Sequence, residues 1–179
     1  EIDKPADLAR IGQLWKRWVT LFCSDSTGST RKGFSTSERA IWNNLEKIIS
    51  HHNKWRLIIT IFSSWISRVQ QIINACEKYD KYIFLSGRSM VENIAIAKDL
   101  WYLKSKTGRI RKMTPKNTQW IPLDKQIIIT TWSQWEEFSA LTRMAEWRHN
   151  SIEILAWDTI VFSSSVVPGN EKSVYWVIN

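Results

Sequence analysis

The chain has 179 residues, of which 44% are hydrophobic, and it carries a formal net charge of +8 at pH 7. This length and apolar content fit one globular domain with an adequate core. No apolar run is long enough to span a membrane and no secretory signal pattern is present, so we expect neither a membrane protein nor an exported one. The two cysteines, Cys23 and Cys76, lie in apolar patterns, which predicts free, buried thiols in a reducing cytoplasm.

The first elements in chain order are a short helix and a strand. The apolar spacing in residues 6–17 predicts the helix, and residues 19–23 have the composition of a strand. That strand delivers Asp25 at its carboxyl end. From the local pattern alone, Asp25 is a residue that caps a turn.

A second helix is predicted from a capping box formed by Ser35 and Glu38, and its apolar spacing continues to about residue 50. His51 and His52 follow at its end. Adjacent histidines at a helix carboxyl end are typical of exposed side chains that compensate the helix dipole, so we do not expect metal ligands here.

Three strand–turn–helix units dominate the middle of the chain. Strands are predicted at residues 57–62, 82–86 and 127–131, each followed by a polar turn and an amphipathic helix. Capping boxes at Ser89 and Ser133 mark the starts of the last two helices. The pattern predicts an α/β fold with one sheet edge lined by helix N-termini, where phosphates and other ligands bind in open sheets.

A basic segment, residues 104–119, separates the second unit from the third. It contains six Lys or Arg residues and no acid. A solvated loop and a nucleic-acid contact are both consistent with this composition. After the third unit, two short strands are predicted at residues 152–155 and 158–163, followed by a polar turn at residues 163–170.

Four long motifs of this chain resemble the β-CASP region of bacterial ribonuclease J and its lead-in. They read SDSTGSTRKGFSTSE, FLSGRSMVENIAIAKDLWYL, TWSQWEEFSALTRMAEWRH and DTIVFSSSVVPGNEKSV, in the family's order. The resemblance implies a β-CASP domain with a mostly parallel sheet flanked by helices. It assigns residues 1–34 to the end of a metallo-β-lactamase segment and residues 35–179 to the β-CASP domain, truncated at its C-terminus.

The same resemblance implies a cytoplasmic, homo-oligomeric ribonuclease for the intact protein, which would process RNA as an endonuclease and as a 5′ exonuclease. Two zinc ions would activate the attacking water, and Asp25 would support the metal site by orienting a ligand. The chain contains no H-x-H-x-D-H run and only three histidines. We therefore expect no metal ligands within it, most ligands lying outside this fragment, and no hydrolysis by the chain alone.

RNA is the partner that this interpretation implies, and we expect the turn residues and nearby arginines to bind its backbone. Arg88 and Arg143 could instead form internal salt bridges. A non-catalytic nucleic-acid-binding α/β module is the alternative function, whereas a nucleotide-binding domain is disfavoured because no G-x-G-x-x-G or Walker A motif follows a strand. The expected RNA-binding residues are Ser64, Arg68, Arg88, Ser89, Ser133, Gln134 and Arg143.

Tryptophan stands where the family pattern has glycine. The chain has 12 Trp and 6 Gly, and returning nine of these Trp to Gly would bring glycine close to its usual share of about 7%. We hypothesise that UGA codons meaning glycine were read as tryptophan; a naturally Trp-rich domain is the alternative. We expect strain and crowding at the turns, and burial of an indole at Trp42 or Trp101 inside helices. The nine positions are Trp15, Trp18, Trp42, Trp55, Trp101, Trp132, Trp135, Trp147 and Trp157.

Overall fold

The computed structural model describes residues 7–23, 26, 29–30, 32–33, 36–131, 140–146, 148–149, 152–163, 171–172 and 175. The chain divides into two compact units, Glu1–Asn43 and Asn44–Asn179. The helices are α1 (Leu8–Lys16), α2 (Glu38–His51), α3 (Ile66–Lys78), α4 (Arg88–Asp99), α5 (Pro115–Thr118) and α6 (Ala140–Ala145). The strands are β1 (Leu57–Ile61), β2 (Tyr82–Ser86), β3 (Ile110–Lys112), β4 (Gln126–Thr131) and β5 (Thr159–Phe162), with a 3-10 turn at Leu123–Lys125.

The five strands form one sheet in the order β3-β2-β4-β1-β5, and every neighbouring pair is parallel. The α/β class and the parallel sheet flanked by helices are therefore confirmed, and the three predicted central strands correspond to β1, β2 and β4. β3 was not predicted because its three residues contribute two basic side chains to a polar stretch. None of the described helices is long and apolar enough to cross a membrane.

The core lies on both faces of the sheet. Ile58, Phe84 and Ile128, from three neighbouring strands, pack with Leu141 and Met144 of α6 in one buried cluster. The alternate residues of these strands point to the opposite face. Their burial explains why the central strands read as continuous apolar runs rather than alternating ones.

The predicted strand at residues 19–23 is wrong. These residues take no strand conformation, and Leu21 and Phe22 are exposed. A strand requires a hydrogen-bonded neighbour, and no described segment pairs with this one. Cys23 is exposed, which corrects the prediction of a buried thiol there, whereas Cys76 is buried as expected and both are free.

The predicted strand at residues 152–155 is also wrong, because side chains take the hydrogen-bonding groups of this backbone. Arg56 Nη2 donates to the carbonyl of Glu153 at 2.6 Å, and the N–H of Leu155 donates to Asp158 Oδ2 at 2.8 Å. The next predicted strand is present as β5.

Two of the helix starts differ from the capping boxes proposed for them. The hydroxyl of Ser37 accepts a hydrogen bond from the N–H of Ala40 at 3.3 Å and begins α2, whereas Ser35 lies outside the described residues. Helix α4 begins at Arg88 after the N-cap residue Gly87, so the Ser89 box is wrong. The reason is Gly87, whose φ of 99° turns the chain into the helix before Ser89 is reached.

Three helices end on a non-glycine residue with positive φ: Trp18 after α1, Asp80 after α3 and Trp101 after α4. This left-handed residue is usually glycine. The expectation that Trp101 is buried inside a helix is wrong, because Trp101 follows the C-cap Leu100 and is 81% exposed.

Candidate functional site

The candidate site is the carboxyl edge of the sheet, where four parallel strands end side by side. β1 ends before Ser63, β2 at Ser86, β4 at Thr131 and β5 before Ser163. Each of these positions carries a hydroxyl group. Because parallel strands share one direction, the four chain ends bring their hydroxyls to the same edge, as the sequence predicted for three of them.

The turn from β2 into α4 supplies the helix N-terminus at this edge. Gly87 is the N-cap, and no side chain in the described part of the chain caps the start of this helix. Arg88 and Ser89, both predicted to bind RNA, are exposed in that turn. Free backbone N–H groups, a guanidinium group and a hydroxyl group are together suited to an anionic oxygen ligand.

A row of hydroxyl groups crosses the sheet one step inside this edge. Thr60 pairs with Thr130, and Thr130 pairs with Ser86, so the three side chains point to one face. The Ser86 hydroxyl lies 3.1 Å from His149 Nε2. Thr60 Oγ1 donates to the carbonyl of Val161 at 3.4 Å, whereas Thr130 Oγ1 is buried and makes no hydrogen bond to any residue that the structure describes.

His149 and Arg143 lie together at this end of the sheet. Burial lowers the pKa of His149, and the positive charge of Arg143 lowers it further. Both effects favour the neutral imidazole. Arg143 Nε is buried and makes no hydrogen bond among the described residues. The alternative considered for Arg143, an internal salt bridge, is not found in the described part of the chain.

Arg68, another predicted RNA-binding residue, is only 2% exposed. Its Nη1 group donates to the carbonyl oxygen of Ser163, and its guanidinium carbon lies 4.1 Å from the ring centroid of Trp65. The side chain therefore ties α3 to the end of β5 and helps to shape the edge. Ser64 is exposed in the turn after β1, and the neighbouring Ser63 hydroxyl accepts a hydrogen bond from Asn93 Nδ2 of α4 at 3.0 Å.

Three of the predicted site residues, Asp25, Ser133 and Gln134, lie outside the described residues. Sequence analysis missed Ser86, Thr130, His149 and Asn93. The polar residue at the end of each apolar strand was the available signal for the first two, because a buried hydroxyl at a strand's carboxyl end is unusual in a core. His149 and Asn93 have no comparable signal, because their positions depend on helix packing.

No group of three or more His, Cys, Asp and Glu residues that could hold a metal is found among the described residues. The ring N–H of His51 donates to the carbonyl of Lys47 at 2.8 Å, and that of His52 donates to the carbonyl of Trp55 at 2.7 Å. The described residues therefore do not fit a metal centre, and no chemical step is assigned to a metal here.

Comparison with known proteins gives matches over nearly the whole chain. The model of the ribonuclease J β-CASP domain matches residues 54–179. The ribonuclease J of Mycolicibacterium smegmatis is 39% identical over 176 residues, which cover 98% of this chain and 31% of that protein. Those of Corynebacterium glutamicum and Thermus thermophilus are each 36% identical over 98% of this chain, covering 24% and 30% of the relatives.

The chain thus spans 24% to 31% of the length of these relatives. The matched range contains all five strands and the carboxyl edge described above. Together these similarities show that the chain belongs to the ribonuclease J family and contains its β-CASP domain.

Proposed function

We propose that the intact protein is an RNA-processing ribonuclease, and that this chain binds the RNA backbone at the carboxyl edge of its sheet. The observation that carries the proposal is the exposed first turn of α4, with Arg88 and Ser89 beyond the tight turn at Gly87. The relatives, which are named ribonuclease J, support the substrate class.

The residues of this edge bind and orient. The N–H groups at the start of α4 would donate to non-bridging phosphate oxygens, and Arg88 would add a charge-assisted hydrogen bond. Ser64, Ser89, Ser133, Gln134 and Arg143 are proposed as further contacts to the backbone. Arg68 is proposed to act through the position of β5, because its guanidinium group already binds Ser163.

Hydrolysis would be carried out by a metal centre that the described residues do not form. We propose two zinc ions in the intact protein, with Asp25 supporting a ligand, and both endonucleolytic and 5′ exonucleolytic cleavage. The absence of an H-x-H-x-D-H run supports the proposal that this chain alone does not hydrolyse RNA. We further propose a cytoplasmic homo-oligomer, with the metallo-β-lactamase segment ending at residue 34.

The test is RNA binding by this chain and by variants of the α4 turn. Arg88→Ala with Ser89→Ala should weaken binding of a single-stranded RNA about 10-fold or more, which corresponds to the loss of about 1.4 kcal/mol expected of one charge-assisted hydrogen bond. Lys47→Ala with Ser50→Ala, at an exposed and a half-buried position of α2, is the matched control and should bind like the unchanged chain. Equal affinity of both double variants would refute the proposed edge. Turnover of RNA by the chain with added zinc or manganese would refute its proposed inactivity.

A further inference from the structure

The basic segment, residues 104–119, is anchored to the body of unit Asn44–Asn179. The Glu77 carboxylate accepts hydrogen bonds from Ser105 Oγ at 2.9 Å and from the N–H of Lys106 at 2.7 Å. Burial raises the pKa of Glu77, but these hydrogen bonds, with those from Thr107, outweigh it and hold the pKa below its usual value. Gln70 and Lys104 exchange two further hydrogen bonds, of 2.7 and 2.9 Å. This half of the segment is therefore a positioned structure rather than a free loop.

The second half of the segment contains strand β3, at one edge of the sheet. Two arginines flank a tyrosine ring, with the guanidinium carbons of Arg109 and Arg111 at 5.0 and 5.7 Å from the ring centroid of Tyr82. Arg109 is also paired with Asp80, which a second cation, Lys125, contacts at 2.9 Å. Hydrogen bonds from Lys125 and Arg109 lower the pKa of Asp80 to about 2, so this carboxylate stays charged at neutral pH.

Three other cations in the second half of the segment are exposed to solvent. We name Arg111, Lys112 and Lys116 the β3 basic surface. All three are exposed, and none forms an ion pair within the described part of the chain. Asp80 and Glu77, the carboxylates bound to this segment, are already used by Arg109, Lys125 and the residue 105–107 backbone and hydroxyls. Among the described residues, no carboxylate compensates the charge of +3 on this surface.

The β3 basic surface leads to the proposed RNA-binding edge. Lys112 pairs with Leu85, two residues before Gly87, and the N–H of Met113 donates to the carbonyl of Leu85 at 2.8 Å. α5 carries Lys116 to the same place, because Asn117 Nδ2 donates to the carbonyl of Lys112 at 2.8 Å. Lys112 and Lys116 thus lie one strand away from the first turn of α4, whereas the Arg111 side chain reaches back to Tyr82 at the start of β2.

We propose that the β3 basic surface is a second contact for the RNA backbone, which extends the site at the α4 turn across the edge strand. RNA suits this surface better than a protein does, because protein interfaces are depleted of lysine and the described residues 104–119 expose no large hydrophobic side chain. Arg111 held beside Tyr82 is a partly preorganised phosphate or base contact. This inference rests on the proposed function.

The experiment compares the salt dependence of RNA binding. The triple variant Arg111→Gln, Lys112→Gln, Lys116→Gln removes three charges, and the control Lys47→Gln, Lys54→Gln, Lys98→Gln removes the same number elsewhere. Affinity for a single-stranded RNA is measured over a series of salt concentrations. If three phosphate contacts are lost, the slope of log K against log salt should become shallower by about 2, at roughly 0.7 per contact, whereas the control should keep the slope of the unchanged chain.

The variant Lys112→Gln, Lys116→Gln leaves the Tyr82 contact intact and should lose about 1.4 of slope, which guards against a folding effect at Arg111. Equal slopes for the triple variant and its control would overturn the inference while the unchanged chain still binds RNA. If Arg88→Ala with Ser89→Ala weakens RNA binding but the triple variant does not, the proposed edge stands and only the second contact is overturned. Failure of the unchanged chain to bind RNA would refute the proposed function, and this inference with it.

Discussion

Gly87 lies so close to Thr131 that a Cβ atom built on the glycine would be 2.9 Å from Thr131 Oγ1. The same Cβ would lie 3.6 Å from the Cβ of Ala140, the first residue of α6. The end of β2, the end of β4 and the start of α6 therefore converge on one glycine. The absence of a side chain at position 87 allows the proposed phosphate site and its neighbouring strand to be built this close together.

Gly87→Ala should destabilise the chain by about 1–3 kcal/mol from backbone strain at positive φ, with an added cost from the contact with Thr131. Urea denaturation followed by circular dichroism measures the difference. Gly108→Ala is the matched control, because Gly108 also has positive φ but a Cβ there would meet nothing within 4 Å. Thr131→Ala should recover part of the loss in the Gly87→Ala background. If Gly87→Ala costs no more than Gly108→Ala, the close approach is unimportant.

Asp158→Ala should be among the most destabilising single changes, at about 3–5 kcal/mol, because it leaves a buried arginine unpaired. Arg56 donates from Nε to Asp158 Oδ1 at 2.9 Å and from Nη2 to Oδ2, and the two side chains are only 9% and 1% exposed. Thermal and urea unfolding measure the loss. The double variant Arg56→Met with Asp158→Leu removes both charges and should unfold closer to the unchanged chain. A double variant less stable than Asp158→Ala would contradict the view that the unpaired charge is the cost.

This ion pair also shows where sequence reasoning stops. β1, β2 and β4 could be predicted because burial on both faces imposes a long apolar run on each. Residues 152–155 carry an apolar pattern too, yet Arg56, 97 positions away, takes the carbonyl of Glu153, and Asp158 takes the N–H of Leu155. The contact with Arg56 cannot be read from a local pattern.

Some features of the candidate site follow from the local sequence pattern, and others depend on contacts between distant residues. Its place at the carboxyl edge, with Arg88 and Ser89 in the first turn of a helix, follows from the strand–turn–helix pattern. The commitment of Arg68 to Ser163 does not, because it depends on how α3 meets β5. Nor could the pairing of Ser86 with His149 be predicted, since the two residues are 63 positions apart.

His149 should make the chain less stable in mild acid. Its pKa is lowered in the folded state by burial and by Arg143, so the unfolded chain binds the proton more readily. The stabilisation from the neutral ring is complete above the unfolded pKa of about 6.5, and it is lost as the pH falls from there through the folded pKa. His149→Gln should flatten the dependence of stability on pH below about 6.5. Urea midpoints measured from pH 5 to 8 provide the test; identical curves for His149→Gln and the unchanged chain would remove His149 from the explanation.

Two of the tryptophans occupy helix ends whose backbone conformation favours glycine, Trp18 after α1 and Trp101 after α4. After α4, the N–H of Tyr102 donates to the carbonyl of Ala97 and that of Trp101 to the carbonyl of Lys98, both at 2.9 Å. These are the two hydrogen bonds of a Schellman motif, whose left-handed residue is usually glycine. Trp101 occupies that position at φ 62°. Asp80 holds the equivalent position after α3, but aspartate tolerates this conformation, whereas a bulky indole does not.

Trp101→Gly should therefore stabilise the chain by about 1 kcal/mol, because the strain of a left-handed non-glycine residue, roughly 1–2 kcal/mol, exceeds the extra entropy that glycine loses on folding. Little burial opposes this gain, since Trp101 is 81% exposed. Trp18→Gly should behave alike, because Trp18 has φ 60° and is 94% exposed. Trp120→Gly is the control: Trp120 is 82% exposed without positive φ, so glycine there should give no gain. Urea unfolding of the three variants and the codons at the three positions both test the glycine hypothesis. It fails if the urea midpoints of Trp101→Gly and Trp18→Gly are no higher than that of Trp120→Gly.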